Sequence, residues 1–214
     1  MKRSFCIALA ILFVLCVGNV ALAQDDSSYV FAAYYVCDQN REGWSDIVTE
    51  QFLGSIYDRH VKEGHLTGWG RMAHNAGGEW RRLEYMVSND LNTLLDTRDA
   101  IIEELLSDAT EASQELTSMC PDHDDYIWQS IVGSQPLSVQ LPERPLATYS
   151  TYFVCDVAKQ ERADEIVDQA YAPVLNRMVQ QGKLKAWSWF GHVLGGKYRR
   201  LLTYSADDHK TLLA

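Results

Sequence analysis

The sequence predicts an α+β fold built from one strand–helix–strand–strand unit used twice, and three observations carry that reading. Sliding the chain by 118 residues aligns 34–95 with 152–213 without a gap, and 21 of the 62 positions are identical. Unrelated segments would share only a few. Each copy holds one stretch of apolar residues at helical spacing, between runs rich in β-branched and aromatic residues. Each also sets Gly-Gly between two strand-like runs, Gly77-Gly78 and Gly195-Gly196.

The elements follow in order. Residues 29–36 and 149–154 are aromatic and β-branched, hence strands. Residues 46–63 carry Val48, Phe52 and Ile56 at helical spacing with Leu53, Tyr57 and Val61 on the adjoining stripe. The counterpart carries Ile166, Ala170, Val174 and Met178 beside Tyr171, Leu175 and Val179. Both read as amphipathic helices ending at Gly64 and Gly182, where a left-handed cap suits glycine. Pro173 predicts a kink inside the second helix. Residues 66–74 with 80–87, and 184–192 with 198–204, read as hairpins around the Gly-Gly turns. In the first copy, 90–106 is a second helix, with Leu91, Leu94, Leu95, Ile101, Ile102 and Leu105 on its buried side. Residues 119–125 read as a loop, and 126–132 as a last strand.

Several features bound the chain at its ends and seams. Lys2 and Arg3, an apolar run from Phe5 to Val17, and Ala21-Leu22-Ala23 form the basic, apolar, small-x-small order of a secretory signal peptide. The expected organisation is therefore a signal peptide at 1–23, a first repeat at 24–132, a linker at 133–146 and a second repeat at 147–214. The linker holds Pro136, Pro142 and Pro145 and shows no sustained period. Localisation is expected to be secreted or periplasmic. Losing Lys2 and Arg3 takes the formal charge from −10 to −12. So acidic a chain repels nucleic acid and anionic lipid, and after signal cleavage no apolar run reaches membrane-spanning length. Three cysteines remain, Cys37, Cys120 and Cys155. Cys37 and Cys155 sit in apolar strand-like runs and are expected to be buried thiols rather than disulfide partners.

The first copy reads strand, helix, strand, strand, helix, strand, the ferredoxin-like order. With its duplication, the chain resembles the dimeric α+β barrel superfamily. The resemblance covers most of 29–213 and is architectural. It implies two ferredoxin-like units packed as a pseudo-dimeric barrel within one chain. The second copy lacks a counterpart of the second helix and last strand, so a C-terminally incomplete repeat is expected. Members of the superfamily include small monooxygenases and haem-degrading enzymes, and no catalytic residue of theirs carries over onto this sequence.

Residues retained by both copies are the candidate site. His74 and His192 each lie three residues before Gly-Gly, on an apolar strand face, and are the candidate catalytic or ligating groups. On the opposite face, Trp69 and Arg71 in one copy and Trp187 and Trp189 in the other are the candidate lining of a barrel cavity for a small apolar or aromatic ligand, the alternative being that the indoles simply fill the space between two sheets. Arg81-Arg82 and Arg199-Arg200 straddle their strands, and their expected ion-pair partners are Asp38 and Asp156. No paired-carboxylate signature, nucleophile elbow, phosphate loop, Cys-x-x-Cys or zinc-ligand spacing occurs. The chain is thus expected to be an exported small-ligand-binding or interaction module, without metal or cofactor, and able to self-associate. The competing expectation is a monooxygenase-like or haem-handling enzyme.

Overall fold

The computed structural model describes residues 27–107, 110–134 and 147–213. The signal peptide and 135–146 of the linker lie outside the described residues. In the first unit the order is β1 (Tyr29–Val36), α1 (Glu42–Val48), α2 (Gly54–Lys62), β2 (Gly68–Ala73), β3 (Arg82–Ser88), α3 (Leu91–Ser107), α4 (Thr110–Met119) and β4 (Asp122–Gly133). The second runs β5 (Ala147–Phe153), α5 (Gln160–Ile166), α6 (Ala172–Gln180), β6 (Ala186–Gly195), β7 (Arg200–Ala206) and the short α7 (His209–Leu212). None of the helices described is long and apolar enough to cross a membrane.

The strands make one antiparallel sheet in the order β2-β3-β1-β4-β6-β7-β5. The first four are in the ferredoxin-like order, and β4 pairs with β6 to join the units edge to edge. The sheet curls so that strands distant in its order face each other. Tyr34 on β1 lies 5.7 Å, centroid to centroid, from Tyr152 on β5. Trp80 before β3 lies 6.0 Å from Tyr198 before β7. The members of each pair are 118 residues apart, so equivalent positions meet across the inside of the curl.

Period-two alternation then divides the side chains. Val30, Ala32 and Tyr34 of β1 point inward, into a cluster with Val87, Tyr126, Trp128, Phe190 and Leu201. Tyr29, Phe31 and Tyr35 point outward to a core built under α1–α4 on Val48, Leu53, Ile56, Leu94, Ile101, Leu116 and Met119. A smaller outer core in the second unit gathers Val167, Ala172, Trp187 and Trp189.

The helices depart from the expected single rods. Each is interrupted by a π-helical turn, Thr49–Leu53 and Val167–Tyr171, at positions 118 residues apart. Such a turn adds a residue to the helix and rotates the apolar stripe that follows. It also resolves Pro173: α6 starts afresh at Ala172, so the proline occupies the first turn, where a missing N–H costs nothing. Gly64 and Gly182 do close the helices, at φ +81° and +70°.

Two expectations for 107–125 are corrected. The helix α4 is absent from the reading by period because only Leu116 and Met119 of its ten residues form a buried stripe. Residues 122–125 are strand and not loop, because full backbone pairing to β1 (Val36 opposite Asp122, Tyr34 opposite Asp124) overrides their acidic composition. The cysteine expectation also fails. Cys37 and Cys120 form a disulfide, which ties the end of β1 to the end of α4, and Cys155 is a free thiol. The missed helix hid the pairing, since α4 is what carries Cys120 back to β1.

Candidate functional site

The ion pairs show how the sheet is held to its helices. Arg82 Nε and Nη2 donate to Asp46 Oδ1 and Oδ2 at 2.6 and 2.7 Å. Arg200 repeats this with Asp164 at the same two distances. Each arginine also donates Nη1 to the carbonyl of the preceding residue, Arg81 or Arg199, at 2.8 Å. Arg81 forks onto Glu42. The expected partners Asp38 and Asp156 are corrected: both sit in loops after the first strand and accept backbone N–H groups two residues on, from Asn40 and Ala158. That is the ordinary turn chemistry of aspartate. The signal for the true partners was in the repeat, because Asp46 and Asp164 are also identical across it.

The tryptophan face is not the barrel interior. Trp69 stacks on Tyr57 of α2 at 4.8 Å and donates Nε1 to Asp58. Trp187 donates to Asn176 and Trp189 to Asp164. Arg71 bridges Asp46, Glu84 and Ser45. All four belong to the outer face and fasten the helices to the sheet. The indoles do not meet between the units, as a face-to-face arrangement would have required.

His192 lies on the other face, which is the inner one, against Tyr126 and Trp128, and His74 follows the end of β2 at the equivalent position. Their backbones are placed alike, each N–H donating to the carbonyl of Arg81 or Arg199 at 3.1 Å. His192 is further fixed by its 2.9 Å contact from Nε2 to the Gly195 carbonyl. A carbonyl only accepts, so Nε2 carries the proton and Nδ1 is left as a lone-pair acceptor. That Nδ1 is buried and has no hydrogen-bond partner, and the same is true of His74 Nδ1. Two bulges flank the spot, one at Val193 on β6 and one at Ile131 on β4. A bulge shifts the alternation by one residue. Here the shift sets His192 opposite Trp128 with both on the inner face.

Around His192 the lining is aromatic. Its ring lies 6.2 Å from Tyr126 and 6.0 Å from Trp128, edge to face in both cases. Tyr126 and Trp128 stack at 5.0 Å, and Tyr34, Trp80, Tyr152 and Tyr198 continue the wall. Trp128 Nε1 points toward the Tyr34 hydroxyl without reaching hydrogen-bond geometry, and is a buried donor left unpaired. Burial, reinforced by the neighbouring Tyr152, pushes the Tyr34 hydroxyl well above its ordinary range. Burial likewise raises Tyr152 and Tyr126. The hydroxyls therefore stay protonated and neutral. Tyr34, Tyr126 and Trp128 form a buried floor, while Trp80, Leu83, Tyr85, Tyr152, Tyr198 and His192 are half-buried. The Trp128 donor and the His192 acceptor thus sit on neighbouring rings, 6.0 Å apart between centroids, within an aromatic wall.

No family model and no curated sequence matches the chain. Solved structures do. An anthrone oxidase-like protein is similar at TM-score 0.53 and 15% identity, over 88% of this chain and 76% of that one. A putative monooxygenase from Lactobacillus acidophilus gives 0.52 and 7%, over 87% and 80%. Another from Fusobacterium nucleatum gives 0.51 and 8%, over 87% and 78%. These neighbours share the α+β barrel fold, and at such identities the fold is what they show.

Proposed function

We propose that the inner face binds a small, flat, largely apolar molecule bearing one hydroxyl or keto group, and that the protein does this after export. The carrying observation is the unpaired pair, Trp128 Nε1–H and His192 Nδ1, in a wall that is otherwise aromatic. An unsatisfied buried polar group costs about 1–3 kcal/mol. A ligand hydroxyl that donates to His192 and accepts from Trp128 would recover part of both costs. Stacking on Trp80, Tyr152 or Tyr198 would supply the rest. Titration with 2-naphthol, read by quenching of indole fluorescence, tests this. Saturable one-to-one binding, weakened about tenfold in His192→Ala and in Trp128→Phe, is the expected result. A linear, non-saturable response, or one indifferent to both substitutions, would reject it.

A second reading is favoured by the same His192 lone pair, which could act as a base. The anthrone oxidase-like neighbour suggests anthrone and dioxygen as reactants, giving anthraquinone and water. His192 Nδ1 would take the proton from the ring carbon opposite the carbonyl, with dioxygen as the oxidant. Oxygen consumption that depends on anthrone and disappears in His192→Ala would favour this enzymatic reading over binding alone. Haem fits the inner face poorly. Its rings stand 4.5–6.5 Å apart, at contact, so a porphyrin would have to displace most of them, whereas a two-ring ligand needs only the half-buried Trp80, Tyr152 or Tyr198 to move aside. Absence of a Soret shift on adding haem is the expected outcome.

A further inference from the structure

On the far side of the molecule, where α2 ends, three side chains converge that the reading of the inner face does not use. We propose that His60, Glu63 and His65 form a binding site for a borderline-soft divalent cation of the Zn²⁺ class. His60 lies in the last turn of α2, and Glu63 and His65 flank Gly64. The left-handed Gly64, at φ +81°, turns the chain back so that the His65 and Leu66 N–H groups both donate to the His60 carbonyl, at 3.0 and 3.2 Å. That closed ring brings residues on both sides of the glycine to one point. One ligand atom from each of the three lies within 4.8 Å of the others.

The distances suit a tetrahedral ion. With Zn–N bonds of about 2.0–2.1 Å, two ligand atoms on one tetrahedral ion stand about 3.3 Å apart. His60 Nδ1 and His65 Nδ1 are 3.1 Å apart, and His65 Nδ1 and Glu63 Oε2 are 3.5 Å apart. The second ring nitrogen of His60 supplies an independent observation. His60 Nε2 lies 3.1 Å from Glu104 Oε1 on α3, and Glu104 is also paired with Arg59. A carboxylate accepts, so Nε2 carries the proton and Nδ1 presents its lone pair to the cluster. A carboxylate behind a histidine is how metal-ligating imidazoles are held in orientation and made better donors. His60 itself is buried while Glu63 and His65 are half-exposed, which leaves an open side for a water or a fourth ligand. The second unit cannot repeat the site: the positions 118 residues on are Met178, Gln181 and Lys183.

The test uses the purified full chain, stripped with a chelator and titrated with ZnCl₂ by calorimetry, with bound zinc measured by elemental analysis after dialysis. One Zn²⁺ per chain is expected. His65→Ala and Glu63→Ala, whose side chains are 50% and 47% exposed and whose loss the fold should tolerate, are each expected to weaken binding at least tenfold. Glu104→Gln, which touches no ion, is expected to weaken it about 10–100-fold with the stoichiometry kept. His209→Ala, on the other unit, should change nothing. Failure of the wild type to hold zinc near one equivalent would overturn the proposal, as would equal affinity in His65→Ala. Neither result would bear on 2-naphthol binding at the inner face.

Discussion

Leu53 and Ile56 are 1% and 7% exposed, while Tyr171 and Val174, 118 residues later on the same helix face, are 52% and 43% exposed. The first unit covers its α2 stripe with α3 and α4. Among the described residues the second unit has no such cover. The polar interior differs in parallel. In the first unit Tyr57 donates to Glu84 at 2.5 Å and Arg71 bridges Glu84, Ser45 and Asp46. The equivalent positions in the second unit are Leu175, Leu202 and Trp189. What both units keep is narrower: the Arg–Asp fork, the tryptophan donating into the helix, the π-helical turn and the glycine that ends the helix. These join helix to strand within a unit. The first turn of the following helix is also shared, with Asp90 and Asp208 each accepting from the N–H three residues on, whereas the rest of the second layer is seen in the first unit alone among the described residues. The residues identical at this spacing thus lie in the strand–helix–strand–strand part of each unit and at the start of the helix after it.

Removing the shared fork should have the largest effect, and should be worse in the unit with fewer spare carboxylates. Breaking one side of a buried pair costs about 3–5 kcal/mol because the other charge is left uncompensated. Asp164→Ala leaves Arg200 with only Gln160 and a backbone carbonyl. Asp46→Ala leaves Arg82 beside Glu42 at 3.4 Å and Arg71 on Glu84. Urea unfolding is expected to show a larger loss for Asp164→Ala than for Asp46→Ala. The reverse order would mean that the two forks are not equivalent devices.

The helix faces sharpen the contrast. Ile56→Ala should cost about 2–5 kcal/mol by opening a cavity under α3. Val174→Ala should stay within about 0.5 kcal/mol, as surface changes do. A Val174→Ala loss as large as that of Ile56→Ala would show that another copy covers this face in solution, and light scattering would then detect the association. The disulfide gives the third comparison. Cys37–Cys120 closes a loop across 83 residues of separation, and Cys120→Ser is expected to cost about 2–4 kcal/mol. Cys155→Ser, at the position equivalent to Cys37, should cost almost nothing, because its thiol has no disulfide to lose.

The module was legible in the sequence because it rests on period and repetition. The strand faces, the amphipathic helices, the capping glycines and the Gly-Gly turns all follow from local rules. What was not legible depends on partners distant in sequence. Trp69, Trp187 and Trp189 lie on the helix-covered face and His192 on the opposite one. Which of the two looks inward is set by how the sheet curls, and strand alternation is silent about that. Asp38 is the partner its place at a strand end suggests for Arg81 or Arg82, whereas Asp46 reaches Arg82 from a helix crossing above. The proposed inner site draws on Trp128 and Tyr126 from β4, which lies outside the 62 aligned positions and so outside any repeat-based search. His60, Glu63 and His65 were missed by such a search too, since the second unit replaces all three.

Acid sensitivity is the smallest of the expected differences, and its sign can be worked out from the carboxylates. Hydrogen bonds from Arg81 hold the Glu42 carboxyl below its ordinary range, against the opposing effect of burial. For Asp46, burial pulls the pKa upward, but the hydrogen bonds from Arg82 and Arg71 outweigh it and the net shift is downward. A depressed carboxylate binds fewer protons folded than unfolded near its titration range. Its stabilisation is therefore full above the unfolded pKa of about 4 and is lost as pH falls through the lower folded value. Glu42 faces this loss in the first unit, while its counterpart Gln160 is an amide and cannot titrate. Glu42→Gln copies the second unit's solution into the first. It should lower stability modestly at pH 7, where the two-pronged ionic fork is replaced by a single hydrogen bond from Arg81 to an amide oxygen. The mutant should then lose less than the wild type between pH 5 and pH 2, with the two curves converging in acid. Urea midpoints measured across that range would check it. Parallel curves, with the same offset at pH 2 as at pH 7, would show that Glu42 contributes by packing and hydrogen bonding rather than by its charge.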